Sequence, residues 1–365
     1  MNRFPDQIMF YLQWIVILIT IPGLIAPYIN PQLITLPAFS GLIFPYATII
    51  LLLISGFGLY RKQFRFFPAL VVLILSFNAI GKTWGFHLFD SPEKDDHAGQ
   101  DSLSLMSYNV QGFGRYRNDS VVNDYVGLFR QQDPDFLCLQ EFFAKTNLPE
   151  NNFQQVLRDS DYKAYHANST GYREGNRQFF GLVIFSKRTI INKGHLNFDN
   201  ASANGCIYID INWHSDTVRI FNVHLQSTQL FPSQRLDKPG NDPDVFTNII
   251  PRIKKLHRGF IKRAPQARKL AKAITSSPHP VVLCGDFNDP PVSYSYQQVS
   301  RNLNDAFLST GFGFGTTYAQ TFPFLRIDYV FLDNQITPMN FRIIENYLSD
   351  HFPVLCLLKK EPPDE

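Results

Sequence analysis

Charge is missing from the beginning of this chain. From Gln7 through Tyr60 there is no Asp, Glu, Lys or Arg, which excludes a water-soluble fold for that stretch and leaves a membrane as its solvent. Cysteine is scarce as well. The 365 residues hold only Cys138, Cys206, Cys284 and Cys356, with no CxxC spacing among them. A zinc ribbon or a disulfide-framed scaffold is thereby disfavoured, and the four read as small buried apolar residues. No GxSxG elbow occurs, which argues against a serine-nucleophile hydrolase. No internal repeat or low-complexity tract is visible. Basic excess is missing too: five of the 34 cations and two of the 31 acids lie at or before Asp90, leaving 29 of each beyond it. A formally neutral soluble part argues against a dedicated, high-affinity nucleic-acid binder.

What is there divides near residue 90. Apolar runs at Ile8–Ile29, Leu42–Tyr60 and Phe66–Ile80 predict three transmembrane helices in residues 1–90, anchored in a lipid bilayer. A cleaved signal peptide would account for the first run only. Arg3 precedes the first run, and Arg61, Lys62 and Arg65 separate the second from the third. The positive-inside rule places both groups in the cytoplasm. Three spans then put everything after a linker at residues 91–101 on the non-cytoplasmic face of a plasma membrane, the inner one in a Gram-negative cell. Trp84, Phe86 and Phe89 fit either an interfacial belt or packing against the soluble part.

The soluble part, residues 102–360, reads as short apolar strands that end in polar clusters. Val281–Cys284 is a buried strand, Gly285 releases the backbone, and Asp286 and Asn288 emerge two positions apart before Pro290. Alternation along a strand would aim both side chains the same way. Leu103–Tyr108 ends at Asn109, Phe136–Gln140 at Glu141, and Val218–Val223 at His224. Asp328 sits inside Arg326–Phe331, and Asp350-His351 precedes the run Phe352–Leu358. Helices are predicted over Val121–Gln132, closed by Asp133-Pro134, and over Arg252–Ile274, interrupted at Pro265.

Each polar residue has an ordinary reading as a turn former, a solvated charge or a satisfied core histidine. Their joint occurrence suggests chemistry. A buried Asp328 needs a partner, and His351 is the natural one, an arrangement that fixes an imidazole's tautomer. Carboxylates with amides favour a hard cation such as Mg²⁺ over zinc. Residues 245–285 carry nine Lys and Arg and no acid; they could steer a polyanion, rest on anionic headgroups, or form a solvated helix face. Asp289–Tyr294 and Gly311–Thr317 read as loops at the rim of a site.

Ser107-Tyr108-Asn109-Val110, Leu139-Gln140-Glu141, Asn222-Val223-His224-Leu225, Gly285-Asp286-Phe287-Asn288, Arg326-Ile327-Asp328-Tyr329-Val330 and Ser349-Asp350-His351-Phe352-Pro353 stand in the order of motifs of the endonuclease/exonuclease/phosphatase, or DNase I-like, superfamily. Residues 102–358 resemble it, and the whole chain is similar to its membrane-anchored bacterial members with three N-terminal spans. The resemblance implies a four-layer α/β sandwich: two mixed sheets face to face, helices outside. It also implies Mg²⁺-dependent hydrolysis of a phosphate ester of the nucleic-acid or phospholipid type, with Mn²⁺ a conceivable substitute and no protein partner implied. Glu141 resembles the principal metal ligand, with Asn109 beside it and Asp350 next to the metal or the phosphate. Asp286 resembles the group that handles the attacking water, with Asn288 positioning it. His224 and His351 resemble donors to phosphate oxygens, Asp328 orienting His351. Gln111 stands where repair-type nucleases of the superfamily carry an acid, so kinship with those is not expected. The competing reading is a catalytically idle member acting as a binding module at the cell envelope.

Overall fold

The structure, a computed structural model, describes residues 4–87, 102–114, 119–145, 152–169, 178–198, 204–214, 216–228, 249–319 and 324–360. The expected linker at 91–101, Arg3 and Phe89 lie outside them.

Two long apolar helices begin the chain, α1 (Phe4–Ile25) and α2 (Leu36–Tyr60), each long and apolar enough to cross a membrane. Helix α2 starts six residues before the expected run because Pro37 sits in its first turn, where a missing N–H costs nothing. The third expected span differs. It is a 3₁₀ turn at Phe64–Phe66, then α3 (Phe67–Leu75) and α4 (Phe77–Thr83), with a bend of 57° between the helical pieces. The bend falls at Ser76, whose hydroxyl donates to the Val72 carbonyl at 2.7 Å, a back-bond that competes with the helical ladder. The anchor therefore has two candidate spans, or up to three if the bent pair counts as one.

The soluble part continues with β1 (Gly85–Phe86), β2 (Ser102–Asn109), a tight turn α5 (Gln111–Gly114), α6 (Asp119–Gln132), β3 (Phe136–Lys145), α7 (Asn152–Asp159), β4 (Ala164–Ser169), β5 (Gln178–Ser186), β6 (Ile190–Asn197), β7 (Gly205–Trp213) and β8 (Asp216–His224). It then runs through α8 (Ile249–Thr275), β9 (Val281–Asp286), α9 (Tyr294–Val299), β10 (Asn304–Asp305), α10 (Ala306–Thr310), β11 (Phe312–Gly313), β12 (Asp328–Leu332), β13 (Ile336–Ile343) and β14 (Val354–Lys360).

Strands order as β13-β14-β2-β3-β5-β4 in one sheet and β10-β12-β9-β8-β7-β6 in the other. Each sheet has a parallel pair at its centre, β2 with β3 or β8 with β9, flanked by antiparallel neighbours. The two halves thus share a plan that the sequence does not show as a repeat.

The central strands are apolar on both faces because both are covered. Along β9, Val282 and Cys284 face the core between the sheets while Val281 and Leu283 pack under α8 and α9. Along β3, Phe136 and Cys138 face inward while Leu137 and Leu139 pack with α6 and α7. This is the expected four-layer α/β sandwich. Cys284 is a core residue, and all four cysteines are buried and free.

The soluble part is seated on one end of the anchor. Strand β1, immediately after α4, pairs with β11, and Trp84 packs edge-on against Phe312 and Phe314. Trp84 is therefore a packing residue of this joint. At the other end of the anchor, Asp6 bonds Arg61, Arg65 and Gln63, so the start of α1 and the basic α2–α3 loop lie together, away from the soluble part.

Candidate active site

The strands β2, β8 and β9 end, and β3 breaks its register, on one edge of the sandwich, where the antiparallel β12 and β14 begin. That topology delivers Asn109, Glu141, His224, Asp286, Asp328 and His351 to one place. Partners in register include His224 with Asp286 and Asp286 with Asp328.

Gly285 makes the β8–β9 approach possible. Its φ is +138°, and a Cβ there would lie 2.0 Å from the Val223 carbonyl oxygen, so only glycine fits. Asp286 follows and is held by three donors: the Asn288 N–H to Oδ1 at 2.8 Å, and the Asn288 and Asn109 amides to Oδ2 at 3.0 Å each. The Asn109 bond crosses from one sheet to the other. Asn288 reaches Asp286 by folding back in a turn at φ +52°, not by the strand alternation expected, since β9 stops at Asp286.

Glu141 stands where β3 slips register against β5 between Leu139 and Phe142. One extra residue makes a bulge, with Glu141 at φ +52°. The bulge turns its carboxylate out of the ladder, 3.8 Å from His224 Nε2. Beneath it, buried Gln140 donates to Ser107 and to Asn222 Oδ1, and the Asn222 amide donates to the Leu139 and Val183 carbonyls. These three polar residues tie the two sheets under the site. They lie inside the motifs read from the sequence, yet strand patterning assigns them no role.

Three functional nitrogens and oxygens converge. His224 Nε2 lies 3.5 Å and His351 Nε2 3.7 Å from Asp286 Oδ2, and His224 Nε2 is buried with no hydrogen-bond partner among the described residues. His351 Nδ1 is 2.9 Å from Asp328 Oδ2, as expected. The start of β12 is pinned by Thr317, whose hydroxyl accepts the Ile327 and Asp328 N–H groups. Tyr318 packs edge-on over the His351 ring. Thr317 closes one of the loops read as a rim, but Tyr318 was carried by no motif.

The electrostatics follow from crowding four acids and two imidazoles in low dielectric. Burial opposes the charge on His351 but is outweighed by Asp328, Asp286 and Asp350, so its pKa rises well above 6.5. Burial raises the carboxyls of Glu141, Asp328 and Asp350, with further upward pushes from neighbouring acids and a partial offset from the histidines.

A divalent cation suits this set. The Glu141 carboxylate has no hydrogen bond among the described residues, and burial raises its pKa, with half-buried Asp350 adding to the push. Asp286, Asp328 and His351 also offer ligand atoms within 4.8 Å of one another, with His351 Nδ1 and Asp328 Oδ2 already bonded to each other. Asn109 is partly committed, its amide N–H to Asp286 and its Oδ1 accepting the Gln111 N–H.

The sequence pattern of the endonuclease/exonuclease/phosphatase family matches residues 106–351. The chain belongs to this family. A domain of unknown function, DUF8431, matches residues 6–83. No curated protein matches the chain. Solved structures share the fold of the family domain. The endonuclease/exonuclease/phosphatase of Beutenbergia cavernae DSM 12333 is 15% identical with TM-score 0.51, covering 72% of this chain and 72% of that one. The human Nocturnin catalytic domain with bound sulfate anion is 18% identical with TM-score 0.50, covering 71% and 95%. A family protein from Bacteroides thetaiotaomicron is 16% identical with TM-score 0.50, covering 72% and 98%. Endonuclease/exonuclease/phosphatase enzymes are generally hydrolytic phosphoesterases that use a divalent metal.

Proposed function

We propose that this protein is a membrane-anchored, Mg²⁺-dependent hydrolase of phosphate esters, with its site on the non-cytoplasmic face of the plasma membrane. The observation that carries this reading is the convergence of His224 Nε2 and His351 Nε2 on one carboxylate oxygen of Asp286. The side on which the site lies rests on the anchor's ends: the basic loop with Arg61 and Arg65 is at one, and the soluble part is at the other.

Asp286, fixed by Asn109 and Asn288, accepts the proton of an attacking water and aims it. His351, protonated and oriented by Asp328, donates to a phosphate oxygen, and His224 Nε2 donates to another. Both donors strengthen as charge spreads over the equatorial oxygens. Glu141 and Asp350, with Asn109 beside them, would hold Mg²⁺, which supplies charge neutralisation at the phosphate when bound.

The test is hydrolysis by the full-length protein in detergent micelles, with and without a chelator, on bis(p-nitrophenyl) phosphate, plasmid DNA, RNA and phospholipids. Mg²⁺-dependent turnover of at least one ester is expected, falling by 10² or more in Asp286→Ala and in His351→Ala. Undiminished turnover in chelator would overturn the reading.

A further inference from the structure

Helix α8 carries three large apolar residues in the open on its first turns: Ile249 is 56%, Ile250 63% and Ile253 46% exposed. A soluble domain seldom leaves such a cluster uncovered. Ile249 and Ile253 continue the line of His257, Phe260 and Ala264, at the three- and four-residue steps of one helix face. That face meets the anchor further along. Phe260 packs edge-on against Phe39 of α2 at 5.2 Å, His257 Nδ1 lies 3.0 Å from Thr35 Oγ1, and the Arg268 guanidinium donates to Gln32 at 2.8 Å. Helix α8 thus crosses the chain where α2 enters its apolar run.

The α1–α2 connection beside it is also apolar and open, with Leu33, Ile34 and Leu36 exposed. Thr35, which touches His257, lies between Ile34 and Leu36, so the two apolar surfaces adjoin. The other sides of α8 present exposed Lys254, Lys255, Arg258 and Lys262. An apolar stripe level with the end of a spanning helix, edged by cations, is the pattern of a helix lying in a membrane interface.

The same helix grips both loops of the site. Arg263, 1% exposed, donates to Asp289 Oδ1 at 2.9 Å and to the Gln226 carbonyl at 2.9 Å, and Gln266 accepts the Gln226 N–H. Asp289 is three residues beyond Asp286, and Gln226 two beyond His224. On the far side of the site, Arg326 donates to the Lys82 carbonyl at the end of α4.

We propose that the first turns of α8 are a second contact with the bilayer, made with its anionic surface. The site is thereby held at headgroup level, and the phosphoester it takes is carried by a lipid of that leaflet. The substrate half of this proposal rests on the hydrolase reading above, whereas the surface contact does not.

The experiment uses the full-length protein in liposomes of three parts phosphatidylcholine to one part phosphatidylglycerol. Because the four native cysteines are buried, a spin label can be placed at Ile253→Cys and, as a water-exposed reference, at Arg301→Cys. The label at 253 should collide more with oxygen than with a water-soluble nickel chelate, and the label at 301 the reverse. Equal chelate accessibility at the two positions overturns the surface contact.

The triple variant Ile249→Ser, Ile250→Ser, Ile253→Ser then separates substrate from chemistry. It should lose about tenfold or more of its turnover on a headgroup-labelled phospholipid in those liposomes, while keeping its turnover on bis(p-nitrophenyl) phosphate. Equal loss on both esters, or loss on neither, overturns the substrate assignment. If the unmodified protein hydrolyses neither ester, the hydrolase reading and the substrate half fall together, and the label accessibility still decides the surface contact.

Discussion

At the scale of single residues, the site depends on groups whose surroundings leave them one arrangement. His351 keeps its proton to a pH above 6.5 because three acids outweigh the cost of burying it. Activity that needs the imidazolium is therefore present below the raised pKa and lost as pH rises through it. Asp328→Asn removes the partner at 2.9 Å, so the alkaline limb of the pH–rate profile should move to lower pH while Mg²⁺ dependence persists. A purely structural role for Asp328 would lower the plateau without moving the limb. Gly285→Ala should cost at least about 1–3 kcal/mol from backbone conformation alone, more with the Val223 carbonyl in the way; thermal unfolding measures it. Asn109, Glu141, His224 and Asp286 were legible because each ends an apolar run, His351 because it precedes one, and Asp328 because an acid inside a strand needs a partner. The Glu141 bulge, Tyr318 and the Gln140–Asn222 tie were not, because they depend on which strand lies across from which, and spacing along one chain does not carry that.

Among the elements, α8 is the one whose sequence misleads. Pro265 predicts an interruption, yet the helix runs unbroken from Ile249 to Thr275 with Pro265 inside it. Proline is exposed there, while Arg263 and Gln266 on either side are buried and bonded to the site loops; those contacts offset the lost ladder bond. Removing one partner of a buried ion pair strands the other, so Arg263→Met should destabilise by about 3–5 kcal/mol. Asp289→Asn in the same chain should restore part of that, because the stranded charge is gone. Denaturant unfolding of the two variants in detergent checks both. The third expected span is bent for a comparable reason: its composition suits a membrane, and the break at Ser76 is decided by a hydroxyl bonding back four residues.

For the whole molecule, the apolar N-terminal helices and the family domain meet through close contacts. Loop residues Pro290, Pro291 and Val292, read from sequence as part of a loop at the rim of the site, are buried, and a Cβ on Gly41 of α2 would stand 2.3 Å from the Val292 carbonyl oxygen. Gly41→Leu should therefore push the loop that follows Asp286 away from α2. The expected outcome is faster proteolysis of this joint in detergent and a fall in turnover, with α1 and α2 still inserted. Unchanged proteolysis would show that the two parts are joined elsewhere.

By itself the sequence determined that one end of the chain is apolar enough for a membrane, that the remainder holds short apolar strands, and which polar residues stand at their ends, whereas the sandwich was implied only by the resemblance of its motifs. Those properties are local: missing charge, alternation, and a glycine or proline after an apolar run. Only the tertiary structure decided that Asn109 binds Asp286 across the sheets, that the third apolar segment bends, and that α8 lies along the end of α2. Each of these is a contact between residues far apart in the chain. Such a contact forms because the whole fold leaves a buried polar group or an apolar face one place to go.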